Sequence, residues 1–462
     1  MRTSRRSRGA AIVATMATVG LLATACGGST ASTSPTQAPA TQAAATQAPA
    51  SGEPAATPAA GYTGPDVTIS YSIWGDPAEL NSQQAIVDTF HAANPKITVK
   101  VEVSDWEPYF DKLQTGLAGG AAPDVFAMDG PLFPDYQSRD VLLDLKPFID
   151  RDNYDLTQLA DQGVADFTTA DGGQYGIPRD LNTIVLYYNK TMFDAAGIAY
   201  PDDTWDWAKL VEVSKQLTKV GADGKTIDQW GFYTETTDME NYWSSLVWQA
   251  GGDIMNADKT KTLLGTPEAA TGIQFLQDLI WKEKVMPEPA MFAELGDAFE
   301  QGKAAMEANG SWLVPTHTAA GTDLGFEFGI APLPKGPAGR FTSVNPTGAV
   351  VYKGTKAPDA AWEFVKYLAS PVAQEQLMQL HASLPVSKEV LAGPYATAFP
   401  GSDVLAASLA YANLKPSFAG YNEFTTMLQG ELDTNVFNEP KKTAAQALAD
   451  IVPQLDAFLA SR

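Results

Sequence analysis

Residues 172–190, GGQYGIPRDLNTIVLYYNK, constrain the fold of this chain more than any other stretch. They follow turn chemistry at Asp171, Gly172 and Gly173 and pass through one proline into Ile184, Val185, Leu186, Tyr187 and Tyr188, an apolar block suited to a buried strand. Pro178 fixes its own φ and biases Ile177 towards an extended backbone, so the stretch cannot continue as helix. Turn, extended polar link and buried strand, in that order, suit a passage between two domains, with Arg179, Asp180 and Asn182 held where two bodies meet. The plainer alternative is a loop and strand carrying a local Arg179/Asp180 ion pair, and the rest of the chain has to decide.

The first segment reads as an address. Arg2, Arg5, Arg6 and Arg8 make a basic head, and residues 10–25 are apolar with small residues at their end, the arrangement of a secretory signal and too short for a comfortable membrane span. The segment ends at Cys26, the only cysteine of the 462 residues, and a lone cysteine cannot form an intramolecular disulfide. Its context, Leu22-Ala23-Thr24-Ala25-Cys26-Gly27, resembles a bacterial lipobox, with Ala23 where the usual pattern has leucine; the resemblance implies lipidation of Cys26. Residues 29–63 are Ala, Thr, Pro, Gln and Ser with Glu53 as their only charge, a composition that builds no packed core and reads as a disordered stalk over 26–63. Extended at roughly 3 Å per residue, such a tether reaches about 100 Å. Removing residues 1–25 removes four arginines and no acid, leaving 27 Lys+Arg against 54 Asp+Glu, a formal charge of −27. Such a surface repels nucleic acid and anionic headgroups. The remaining body of about 400 residues exceeds one core and predicts two or three domains.

In chain order, VTISYSIW (67–74) alternates as a strand and stops at Gly75. Asp76-Pro77-Ala78-Glu79 has the chemistry of a helix start, and Asn94-Pro95 ends that helix before a second strand, ITVKVEV. A further helix closed by Gly119-Gly120 and a strand over 123–128 complete an alternation that predicts a mainly parallel sheet with helices on both faces. Past residue 190 the pattern turns helical: Thr204 is placed to cap a helix carrying Trp207, Leu210, Val211 and Leu217, and Thr443 with Gln446 forms a capping box for the last helix. No Gly-x-Gly-x-x-Gly or Walker lysine motif accompanies the strands, so no nucleotide cofactor is indicated. The only histidines, His91, His317 and His381, lie far apart in no zinc-protease spacing, and no metal is called for.

The succession of segments resembles the extracellular solute-binding proteins of family 1, receptors that feed carbohydrate ABC importers and include the maltose-binding type. It is carried by WGDP at 74–77, the Asn-Pro-then-strand at 94–103, AGGAAPDVF at 118–126, YGIPRDLNTIVLYYNKTMFDAAGI at 175–198, TWDW at 204–207, WQAGGD at 248–253, GKAAM at 302–306 with NGSW at 309–312, and SLP at 383–385. The resemblance implies an α/β, two-lobed periplasmic-binding-protein type II fold with three interlobe hinge crossings, near 178–183, 329–334 and 382–387. Lobe one would hold 64–178 and 334–382, and lobe two 183–329 and 387–462. It also implies a monomeric extracytoplasmic receptor, held to the outer face of the membrane only through its lipid, that passes sugar to the transmembrane subunits of an ABC permease and needs no cofactor.

A neutral sugar offers apolar C–H faces and a rim of hydroxyls, so its site needs aromatic plates together with amides and carboxylates. Trp74 ends the first strand, and ligands gather outside the carboxyl ends of strands in open α/β sheets. Trp106 and Asp129 follow the second and third strands on the same edge, while Asp76 is either a ligand contact or a helix cap. Arg179 and Asn182 sit in the first crossing, with Asp180 as partner to Arg179. In the second lobe Tyr242 and Trp243 supply the platform, with Trp243 the preferred plate. Trp312 matches the family's aromatic after a glycine-containing strand end, and Asn345 precedes a strand that could close the cleft. Trp205, Trp207, Trp230, Trp248, Trp281 and Trp362 are assigned to packing. An exported glycoside hydrolase, which needs a pair of carboxyl groups about the bond, and the same fold holding a non-sugar solute are the competing readings.

Overall fold

A computed structural model describes residues 62–75, 77–236, 242–318, 324–380 and 383–462. Asp76, and Cys26 with the rest of the leader and stalk through residue 61, lie outside the described residues. The chain opens with strand β1 (Val67–Trp74), helix α1 (Pro77–Ala93), strand β2 (Ile97–Ser104), helix α2 (Trp106–Ala118) and strand β3 (Val125–Asp129). β1 pairs in parallel with both β2 and β3, as strands joined by helical crossovers must.

The next strand, β4 (Gly176–Asn189), is the long one, and it lies in the stretch that opened the sequence reading. Its neighbours are β5 (Met306–Gly310), β6 (Phe328–Ala331) and β7 (Thr342–Val351), and β8 (Ala412–Leu414) flanks β7. The strand path is β2-β1-β3-β7-β4-β5, with β6 on β4 and β8 on β7. All pairings of β4 are antiparallel, as is that of β7 with β3, so the sheet is mixed rather than mainly parallel. The expectation of a parallel sheet was drawn from the first three strands, whose βαβ order does not extend to the strands that return later from distant parts of the chain.

β4 changes partners along its length. Residues 176–183 pair with β7, and residues 184–189 pair with β5 and β6. The register slips between Pro178 and Asp180, where the proline's missing N–H makes a bulge the natural solution. Successive side chains point to opposite faces: Ile184, Leu186 and Tyr188 enter one apolar core, and Ile177, Leu181, Val185 and Tyr187 the other. Leu181 also exchanges both backbone hydrogen bonds with Leu384, at 3.0 Å each, so a third segment is tied to this strand.

Local signals resolve as follows. Helix α3 (Asp161–Asp166) packs against β4 through Gly163, where any Cβ would collide with Pro178. Helix α4 (Trp207–Leu217) is capped by Asp206, whose carboxylate accepts from the Lys209 amide; Thr204 instead donates to Asp202, so the cap sits two residues later than the sequence suggested. Helices α5 (Tyr242–Gln249) and α6 (Pro267–Trp281) pack together, and α5 packs against β7. Helix α7 (Tyr421–Leu432) and helix α8 (Ala444–Ala460) close the fold, and α8 begins with the capping box of Thr443 and Gln446. Trp205, Trp230, Trp248 and Trp362 are buried, and Trp207 and Trp281 pack partly buried against the core. No helix among the described residues is long and apolar enough to cross a membrane.

Candidate functional site

The strand ends on one edge of the sheet carry an aromatic cluster. Trp74, last residue of β1, stacks on Phe110 and meets Trp106 and Tyr109 edge-on, with centroids 4.9–5.8 Å apart. Such offset and edge-to-face pairs are the arrangements that ring quadrupoles favour. Tyr109 is anchored through its hydroxyl, which donates to the Ala127 carbonyl at 2.5 Å, and burial holds its phenol well above the usual range. Trp106 is 40% exposed and stands at the mouth. Beside it lies a cavity of about 370 Å³ lined by Trp106, Phe110, Asp129, Tyr136, Tyr421 and Asn422, among others. Residues from the first strands and from α7 therefore meet at one cavity.

β4 and β7 build a polar floor. Arg179 and Asp180 are both buried and form an ion pair at 3.2 Å, which is the local pair the sequence suggested. Burial raises the Asp180 carboxyl, while the Arg179 charge and the Thr347 hydroxyl oppose that rise. Asn182 is half-buried; its Nδ2 donates to Asp180 Oδ1 at 3.3 Å and its Oδ1 accepts from the Ser311 hydroxyl at 3.0 Å. Directly across the strand pair stands Asn345. It is buried, yet neither its Oδ1 nor its Nδ2 has a hydrogen-bond partner among the described residues. Ser343, two residues earlier on the same face, is buried, and its hydroxyl too has no partner among the described residues.

Helix α5 packs against β7 and brings more such groups. Tyr242 and Trp243 are 0% and 1% exposed, and the Tyr242 hydroxyl, the Trp243 Nε1–H and the Ser245 hydroxyl have no hydrogen-bond partner among the described residues. Trp243 was expected as an open plate; here its ring is enclosed in the core, among residues such as Leu246, Val247 and Leu276, and only its N–H lacks a partner. A buried polar atom without a hydrogen bond costs about 1–3 kcal/mol, so these atoms on two packed elements are candidates for bonding to a ligand or to water. All of these atoms belong to uncharged groups.

At the end of β5 the chain turns through Gly310, Ser311 and Trp312. The Trp312 ring folds back so closely over Gly310 that a Cβ there would fall within the ring's envelope. The Gly310 carbonyl accepts from the Tyr187 hydroxyl at 2.9 Å, and Ser311 trades backbone and side-chain bonds with Thr183. Trp312 itself is half-buried against the larger core.

The structure thus brings Trp74 into contact with Trp106, puts Trp106 and Asp129 on one cavity, and aligns Arg179, Asn182 and Asn345 along β4 and β7. Tyr242 and Trp243 lie in a helix packed on β7, and Trp312 follows the strand that flanks β4. Sequence reasoning missed Ser311, Ser343, Tyr421 and Asn422. Ser343 and Asn345 were legible as polar positions two apart on one face of a strand; Tyr421 carries no local signal, because its place depends on how the C-terminal helices return. Among the described residues no group of three or more His, Cys, Asp or Glu could hold a metal ion.

Comparison with known proteins places these elements in a wider group. The model of the bacterial extracellular solute-binding protein family matches residues 74–375. A putative binding protein of Brucella abortus is 24% identical over 382 residues, covering 81% of this chain and 89% of its own. A maltotriose-binding protein of Pyrococcus abyssi is 26% identical over 388 residues, 81% of this chain and 79% of that one. Among solved structures, an ABC substrate-binding protein of Listeria monocytogenes in complex with cycloalternan superimposes with a TM-score of 0.76 at 28% identity, covering 85% of this chain and 98% of that one.

Proposed function

The chain belongs to the bacterial extracellular solute-binding protein family, and from that premise we propose that it holds a neutral sugar or oligosaccharide between two lobes and hands it to a membrane permease. Its fold is that of a bilobed α/β binding protein, and its role is that of the substrate-binding component of an ABC sugar importer. The observation that carries the sugar reading is the set of buried, uncharged and unpartnered polar atoms of Ser343, Asn345, Tyr242 and Trp243 on facing elements. Hydroxyls both donate and accept, so a polyol can satisfy an amide, an indole N–H and a phenol together.

In this reading Trp74, Trp106, Asp129, Arg179, Asn182, Tyr242, Trp243, Trp312 and Asn345 belong to the site or its support. Trp106 and Trp312 supply apolar surface, Asn182 and Asn345 hydrogen bonds, and Trp243 its N–H rather than its face. Relatives named for maltotriose, arabinooligosaccharide and diacetylchitobiose, and a solved structure in complex with cycloalternan, support a carbohydrate ligand. In this proposal the lobes would be joined by β4, by the 383–387 segment bonded to Leu181, and by β7. The expected second crossing at 329–334 shifts to β7 in this scheme, because Lys335 still exchanges backbone bonds with Trp205 and Trp207, and Phe341 accepts from Gln249. Ligand contacts made to both lobes would shift the population towards a closed form. Outside the fold, Cys26 would carry the lipid that keeps the receptor at the outer face of the cell membrane. Isothermal calorimetry against mono-, di- and oligosaccharides tests the proposal: selective binding without released product supports it, product release points to a hydrolase, and response only to amines or peptides overturns the sugar assignment.

A further inference from the structure

We propose that Ser311 is a positioning residue of the binding site, holding the side-chain amide of Asn182 in one orientation; the proposal rests on the sugar reading above. Its basis is an accounting of protons. Ser311 and Thr183 exchange bonds in both directions: the Ser311 amide donates to the Thr183 carbonyl at 2.9 Å, and the Thr183 amide donates to Ser311 Oγ at 3.2 Å. One lone pair of the Ser311 hydroxyl is therefore occupied. At the other end of the Asn182 amide sits Asp180, whose second carboxylate oxygen lies 3.2 Å from Arg179 Nε. A carboxylate only accepts, so the amide must turn its Nδ2 towards Asp180, at 3.3 Å, and its Oδ1 towards Ser311, at 3.0 Å. The Ser311 hydroxyl then has to donate, and its proton goes to Asn182.

The consequence is an amide pinned at both ends, left with one N–H and one lone pair for a ligand. Across the strand pair, the Asn345 side chain has no hydrogen-bond partner among the described residues, so no protein bond there fixes its orientation. The two amides thus differ in kind, one fixed and one adaptable, and Ser311 makes the difference. Ser311 is 2% exposed and cannot reach solvent for another partner. Because it directly precedes Trp312, the same residue that fixes the amide also ties the turn carrying the indole to β4.

A double-mutant cycle tests this in the full-length protein, with maltotriose as probe. Ser311→Ala should weaken binding roughly five- to tenfold, the range of one hydrogen bond of ordinary net strength, while Ser311→Thr, which keeps the hydroxyl, stays within about twofold of the parent. In an Asn182→Ala background Ser311→Ala should cost nothing further, because the serine acts through the asparagine. An equal loss in both backgrounds overturns the assignment. A second measurement needs no ligand: in protein labelled with 15N-asparagine, the Asn182 side-chain NH₂ signals should be slowed in hydrogen exchange in the parent and in Ser311→Thr, and should speed up in Ser311→Ala. Unchanged exchange in Ser311→Ala refutes the lock. If no sugar of the calorimetric panel binds the parent protein, the sugar reading falls and the binding role of Ser311 falls with it, whereas the exchange data report separately on whether the lock exists.

Discussion

Gly310→Ala isolates the packing of Trp312 from every other feature of the site. The glycine is not in a left-handed conformation, so alanine brings no backbone strain, and the nearest obstacle to the added methyl is the Trp312 ring. The backbone cannot give way, because Gly310 pairs with Ile184 in the sheet, its carbonyl is held by Tyr187 at 2.9 Å and its amide by Asn309 Oδ1 at 2.7 Å. The ring must therefore retreat by roughly 1 Å or more, since carbon atoms settle about 3.5–4 Å apart. If the ring were clamped, overpacking would cost about 1–3 kcal/mol. Trp312 is only half-buried, so it swings out instead, and the fold should lose no more than about 1–2 kcal/mol in a urea titration. Sugar affinity should then fall as far as in Trp312→Ala, with a red shift of tryptophan emission. The decisive comparison is the double substitution: with the indole removed, alanine at 310 fits, and its stability should equal that of Trp312→Ala alone. If Gly310→Ala destabilises equally with and without the indole, the steric reasoning is wrong.

Other outcomes follow from single features. Trp243→Ala, which empties a site in the core, should cost about 3–5 kcal/mol by denaturant titration, whereas Trp243→Phe should keep most of the stability and lose affinity through the missing N–H. Glu307 is fully buried, and burial together with Asp297 holds its carboxyl well above the usual range. The unfolded chain releases that proton first, so this group's contribution falls as pH rises above the unfolded value of about 4.3. Glu307→Gln, an isostere of the protonated acid, should match the parent in thermal melts near pH 4 and exceed it increasingly above. Thr443→Ala breaks the capping box of α8 and should cost about 1 kcal/mol in the same measurement. Cys26→Ala should move the protein from the membrane fraction to the soluble fraction on cell fractionation; retention in the membrane would remove the lipid assignment.

How much of this was legible depended on whether the signal was local. The first five elements, the capping box and the buried block of β4 followed from periodicity and end signals that lie within a dozen residues of each other. The mixed sheet did not, because β5, β6 and β7 reach β4 from more than a hundred residues away and their direction is set by packing rather than by sequence neighbours. The same limit governs the site. Trp74 and Asp129 were placed by the rule that strand ends face ligands, which needs only the strand. Trp243 was expected as a plate because aromatic density near a glycine turn looks alike whether the rings line a core or a cleft, and only the three-dimensional arrangement shows its ring enclosed.

The opening stretch gains a sharper meaning from its pairing. A hinge strand that merely connected two bodies would need no polar face of its own, yet β4 carries Asp180 and Asn182 at the point where its partners change from β7 to β5 and β6. On one side of that point Asn182 faces Asn345 of β7; on the other, Thr183 and Asn182 are bonded to Ser311 at the end of β5. A ligand that bonds to Asn182 therefore acts on the residue through which both strands communicate, and any rotation of one about the other must carry that amide along or break its bonds. If β4 is the hinge proposed above, recognition and hinge are not separate parts joined by a linker: the free energy of satisfying Asn345 and Asn182 would be released where the backbone bends, and a small polar ligand would bias closure without touching the outer surfaces of either lobe.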